Sequence, residues 1–134
     1  MAGENIYALT GFTHGSAIAG ATYARIVPQT THRRDAVKQR SVVTDRELAV
    51  EVYGNNARAL YARIGVAKAN AVLAVKGRAG AVETHTVKDV EFVEAIGAAE
   101  IPEADGGGKL ASAGIRGFAV WGDDDTFETM WTVT

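Results

Sequence analysis

There is no cysteine among these 134 residues. That absence excludes a disulfide framework, a thiol nucleophile and thiolate metal sites, and it fits assembly in a reducing compartment. No apolar run approaches the ~18 residues that a membrane-spanning helix requires. The start, Met1 to Asn5, has neither a basic stretch nor a long apolar one, so a soluble, unexported chain without a membrane partner is expected. There is no Gly-x-Ser-x-Gly elbow, no spaced set of metal ligands, and no repeat at solenoid or propeller periods. Net charge is only −2, which argues against a wholly basic surface for nucleic acid.

What the chain does have is a charge split. Arg25 to Arg78 carries eleven Lys or Arg against four Asp or Glu, a net of +7. Ala79 to Thr134 carries three against eleven, a net of −8, and Glu4 completes the total. Two complementary surfaces result, to be joined within one fold or between copies; in the second case rings or stacks can form head to tail. The length suits one domain, 1–134, and the hydrophobic share of 47% suits a folded core built largely from Ala and Val.

The pattern is mostly strand. Ile6 to Phe12 is short and rich in β-formers, and Ser16 to Val27 is expected to run until Pro28 stops it. Pro28 to Gln39 is polar and basic and reads as a long loop. Val42 to Tyr53 alternates most clearly, with Leu48, Val50 and Val52 on one face and Glu47, Ala49 and Glu51 on the other. One helix, Asn55 to Ile64, follows Gly54. Asn55 or Asn56 can cap it, Ala57, Leu60, Tyr61 and Ile64 form an apolar stripe, Arg63 suits its negative end, and Gly65 suits a left-handed C-cap. Asn70 to Lys76 and Ala81 to Val87 read as a hairpin across Gly77 to Gly80. Val90 to Ile96 is a further strand, Glu103 to Lys109 an acidic glycine-rich loop, and Leu110 to Trp121 with Thr126 to Val133 a last hairpin. The expected fold is mainly β: a β-sandwich or partly closed barrel with one flanking helix and a long basic loop.

Chemistry is sparse. Gly106 to Lys109 resembles a fragment of a phosphate loop, but Leu110 and a strand follow where Ser or Thr and a helix are required. Asp123 to Asp125 offers oxygen ligands without the spacing of a cation site, and reads as a solvated turn. His14, His32 and His85 are expected at the surface, and Ser16 or Ser112 shows no sign of activation. No catalytic, cofactor-binding or metal-binding residue is assigned. Arg33 and Arg34 suit either a phosphate or a partner's carboxylates.

The order of elements resembles the fold shared by bacteriophage tail tube proteins and the tube proteins of contractile injection systems. The stretches that carry the resemblance are Glu47 to Tyr53, the helix Asn55 to Ile64, Ala71 to Val75, Lys88 to Val93 and Gly117 to Gly122. The resemblance implies a structural virion protein, assembled in the host cytoplasm, whose hexameric rings stack into a phage tail tube. Its partners would be further copies of itself and other tail or neck proteins, with no cofactor. DNA would pass without specific binding through a channel expected to be acidic or neutral, because a basic bore would hold it. A head–tail joining or capsid decoration protein is the nearest alternative; a small β-barrel ligand-binding module or enzyme is the alternative of another class. The stretch Pro28 to Arg40 is expected to be a contact arm between copies, since long loops in compact domains tend to be functional. Its Arg33, Arg34, Lys38 and Arg40 would meet Glu100, Glu103, Asp105 and Asp123 to Asp125 of a neighbour.

Overall fold

A computed structural model of the chain describes residues 5–37, 40–76, 82–96, 99–102, 108–111 and 113–134. The elements run β1 (Asn5–His14), β2 (Ser16–Ala17), β3 (Ala21–Asp35), β4 (Arg40–Gly54), α1 (Ala57–Tyr61), β5 (Ala69–Lys76) and β6 (Val82–Ala95). They continue with β7 (Ala99–Pro102), β8 (Gly108–Ala111), β9 (Ala113–Ala119), α2 (Phe127–Met130) and β10 (Trp131–Val133). The sheet order is β6-β5-β1-β3-β4-β9, and β9 pairs back onto β6, so six antiparallel strands form a closed barrel. Of the two architectures that the alternation allows, the barrel is the one formed.

Closure follows from which side chains point inward. Ile26, Leu48, Val50, Val52, Leu73, Val87, Val90, Phe92 and Ile115 are all fully buried in one core. The barrel is narrow enough for side chains to fill it. Phe12 and Phe92 meet edge to face inside it, with ring centroids 5.9 Å apart. Room for Phe92 comes from Gly117 opposite it, where a Cβ would stand 2.9 Å from the Phe92 Cα and 2.6 Å from the Glu91 carbonyl.

Two strands change the parity of their inward residues partway along. In β1 the register shifts between Leu9 and Gly11, so Tyr7 and Leu9 give way to Phe12 and His14. In β6, His85 and Val87 give way to Val90 and Phe92 across Asp89, which has φ +52°. One extra residue at each point swaps the two faces of the strand. The two strands expected over Ala81 to Val87 and Val90 to Ile96 are therefore one bent strand.

Other expectations are corrected. Ser16 to Val27 is not continuous, because a turn at Ala19 and Gly20 separates β2 from β3. Pro28 does not end β3. It lies opposite Leu48, beyond Ile26, where the described pairing with β1 stops, so its missing N–H can face an open edge. The last hairpin does not form. Both edges of β9 are taken by β4 and β6, and β10 adds instead to the first half of β6.

The helix is shorter than its apolar stripe. Asn56 caps α1 by accepting a hydrogen bond from the Ala59 N–H at 3.2 Å, and Leu60 is fully buried. Tyr61 is exposed, and Ile64 has left the helix to bridge Phe92. The chain is turned there by Arg63, which reaches back to His14, and by the Gly65 N–H, which donates to the Phe92 carbonyl at 3.0 Å. Leu60 remains the main anchor of this segment. Leu60→Ala is expected to cost about 2–5 kcal/mol in a urea unfolding curve; a loss under about 0.5 kcal/mol would contradict its burial.

Candidate assembly surface

The stretch expected as a basic loop is a β-ribbon. Beyond the barrel, β3 and β4 stay paired from Pro28↔Leu48 to Asp35↔Arg40. Eight residues per strand, 28–35, extend roughly 26 Å at the usual rise. A register shift between Thr31 and His32 adds twist. Gln29, Thr30, Thr31, His32, Arg33 and Arg34 are all exposed, and so are Asp45, Arg46 and Glu47. The described side chains of the ribbon cover no core. At the turn Val37 is 93% exposed. The described pairing leaves both outer edges open: β1 reaches β3 only to Ile26, and β9 reaches β4 only to Ala49. Among the described residues the ribbon is thus a long, two-edged projection from a closed barrel.

Its root is fixed by a ladder of alternating charge on the barrel's outer face. Arg25 on β3 lies opposite Glu51 on β4, Glu51 opposite Arg116 on β9, and Arg116 opposite Glu94 on β6. Directly opposed residues share a face. The Arg116 Nε donates to Glu51 at 3.0 Å, its Nη1 donates to Glu94, and Arg25 stands 3.7 Å from Glu51. The Tyr53 hydroxyl donates to Glu51 at 2.7 Å. Glu51 is only 5% exposed, although the alternation puts it on the outer face. Gly114 makes this possible: a Cβ there would be 2.7 Å from the Tyr53 ring, which lies across that strand. Above the ladder runs a more apolar row, Val27–Ala49–Phe118, opposed in register. A further clasp holds the root, where the Arg46 guanidinium stacks 5.0 Å from the Trp121 ring centre.

The expected site residues are only partly brought together. Arg33 and Arg34 stand exposed on the ribbon, opposite Val42 and Ser41. Arg40 opens β4, and Glu100 lies on β7 opposite Leu110, in a separate two-stranded sheet. Lys38, Glu103 and Asp105 lie outside the described residues. In the turn after Trp121, Asp125 is engaged internally: it accepts from the Gly122 N–H at 2.7 Å and pairs with Lys88 at 3.2 Å. Those contacts, the Gly122 N–H foremost, hold its carboxyl below the ordinary value. Among the described residues no group of three His, Asp or Glu could hold a metal ion.

The histidines are a second correction, because only His32 is exposed; His14 and His85 are buried. The His14 Nε2–H donates to the Val90 carbonyl at 2.7 Å, leaving Nδ1 to accept from Arg63 at 3.0 Å. Burial lowers its pKa against the pull of the Val90 carbonyl, and the Arg63 cation lowers it further. The His85 Nδ1 accepts from the Trp131 indole at 3.0 Å, so its Nε2–H faces Glu83 at 3.3 Å. Both rings have their nitrogens occupied and join elements distant in sequence. Alternation could have flagged His85, two residues before Val87; the burial of His14 depended on the shift of register within β1.

No known family model matches the chain, and no curated protein matches it.

Tyr53 gives the ladder a measurable signature. Burial first, then its hydrogen bond to Glu51, raises the hydroxyl above its ordinary value of 10.0. Tyr7 is raised too, by burial and by Glu83. The folded chain keeps these protons after the unfolded chain releases them, so stability is undisturbed below about pH 10 and falls above it. Tyr53→Phe is expected to cost about 1.5–3 kcal/mol at neutral pH, as for hydrogen bonds to charged groups, and to reduce the alkaline fall to the part Tyr7 supplies. Urea midpoints measured at neutral and alkaline pH check both. Unchanged stability with an unchanged alkaline fall would contradict the role.

Proposed function

We propose that the chain is a structural subunit that joins copies of itself into rings, and that the rings stack as a phage tail tube around a channel for DNA. The observation that carries the reading is the ribbon. A closed barrel needs no such extension for its own stability, and a long hairpin whose described side chains are exposed and whose described pairing leaves its outer edges open is suited to pairing with other chains. A cyclic assembly would cover those edges by joining each copy to the next through different surfaces. The resemblance in element order to tail tube proteins supports the tube over other ring-shaped assemblies. The role is passive and non-catalytic; in support, the nitrogens of both buried histidines are taken up in structural hydrogen bonds.

Removing the ribbon tests this directly. Thr30 lies opposite Arg46, so Thr31 to Asp45 can be replaced by Asn-Gly, a two-residue hairpin turn that suits such a pair. The barrel is expected to stay folded, with its melting temperature within a few degrees of the full chain. Negative-stain micrographs of the full chain are expected to show rings or tubes, and those of the shortened chain none. Rings from the shortened chain, or only small single particles from the full one, would contradict the proposal.

A further inference from the structure

We infer that the basic end of the ribbon of one copy docks on the outer barrel face of a second copy, between Glu47 and Glu91. This rests on the ring reading above and names the surface that receives the arm. On that face Phe118 lies opposite both Ala49 and Glu91, and Glu47 lies one step beyond Ala49 on β4. Two carboxylates therefore flank a half-buried aromatic ring, with Val27 half-buried beside it. In the adjacent ladder every charge is matched, but Glu47 and Glu91 have no counter-charge among the described residues. Arg33 and Arg34 are likewise unmatched. Within one copy the ladder of pairs keeps Arg33 apart from Glu47: Arg33 is four residues from Gln29, opposite Glu47, roughly 13 Å along the strand.

Charge and shape agree. A ribbon two strands wide can lie across the apolar row, cover Phe118 and Val27, and set arginines against the flanking acids. Asp123 and Asp124 are the competing receivers. They sit on a turn, whereas Glu91 sits on a barrel strand and Glu47 at the paired root of the ribbon, and both lose less freedom on contact. Because arm and face are different surfaces of one chain, the contact is head to tail and can repeat around a ring.

Two charge-reversal variants test it. Variant one carries Arg33→Glu and Arg34→Glu; variant two carries Glu47→Arg and Glu91→Arg. Circular dichroism establishes that each is folded, and sedimentation velocity reads assembly. Each alone sets like charges against each other at every contact, and is expected to raise the concentration for half-assembly about tenfold or more. A 1:1 mixture restores opposite charges at every contact in an alternating ring and is expected to assemble near the wild-type concentration. Asp123→Arg with Asp124→Arg is expected to assemble as wild type. Variant two assembling normally while variant one fails would overturn the docking face and leave the ring reading standing, as would complementation of variant one by the Asp123/Asp124 variant instead. A wild-type chain that stays monomeric at every concentration would overturn both.

Discussion

Arg116 ties the closing strand of the barrel to both of its neighbours. It stands on β9, the strand that completes the barrel, and gives one nitrogen to Glu51 on β4 and another to Glu94 on β6. It therefore bridges both seams of the closing strand. A single exposed ion pair contributes little, ~0–1 kcal/mol. This arrangement differs because Glu51 is nearly buried and its oxygens are met by Tyr53, Arg116 and Arg25 together. Removing one cation would leave a buried carboxylate short of partners, a far larger cost than the pair's own attraction. Beyond the closed barrel, the ribbon is the longest stretch over which the described strands leave open edges.

The charge split of the sequence takes a different meaning in the fold. The two halves stay together as neighbouring blocks of the barrel: β9 and β6 from the acidic half pair with each other, and they meet β4 and β5 from the basic half at two seams. Among the described ion pairs Arg116–Glu51 alone crosses between the halves, while Arg25–Glu51, Lys88–Asp125 and Arg116–Glu94 lie within one half. The complementarity proposed between copies is narrower than the charge split: a basic ribbon end and individual unmatched acids, Glu47 and Glu91.

Alternation made the strong elements legible. Leu48, Val50 and Val52 are inward and buried as their spacing implied, and so is Leu60 in the helix. Expectation and fold part where a local rule meets a tertiary exception. Pro28 looked like a strand end, but a proline is tolerated where the strand has a neighbour on one side only. Lys88 and Asp89 looked like a break because the inward parity changes there, which is a bulge within one strand. The stripe through Tyr61 and Ile64 was longer than the helix because Arg63 and the Gly65 N–H found partners far along the chain. Glu51 was assigned correctly to the outer face, yet nothing local to β4 shows that Arg116, sixty-five residues on, would cover it.

The central claim is that the ribbon is an ordered hairpin whose open edges and faces are used between copies. In a two-stranded antiparallel ribbon, backbone N–H groups point alternately across the ladder and outward. Amide hydrogen exchange read residue by residue along 28–35 and 40–48 tests the claim most directly, first in dilute solution and then in the assembled state. The account predicts alternating slow and fast amides in the free chain, with the fast set becoming slow on assembly. Uniformly fast exchange in the free chain, or a fast set unchanged by assembly, would contradict it.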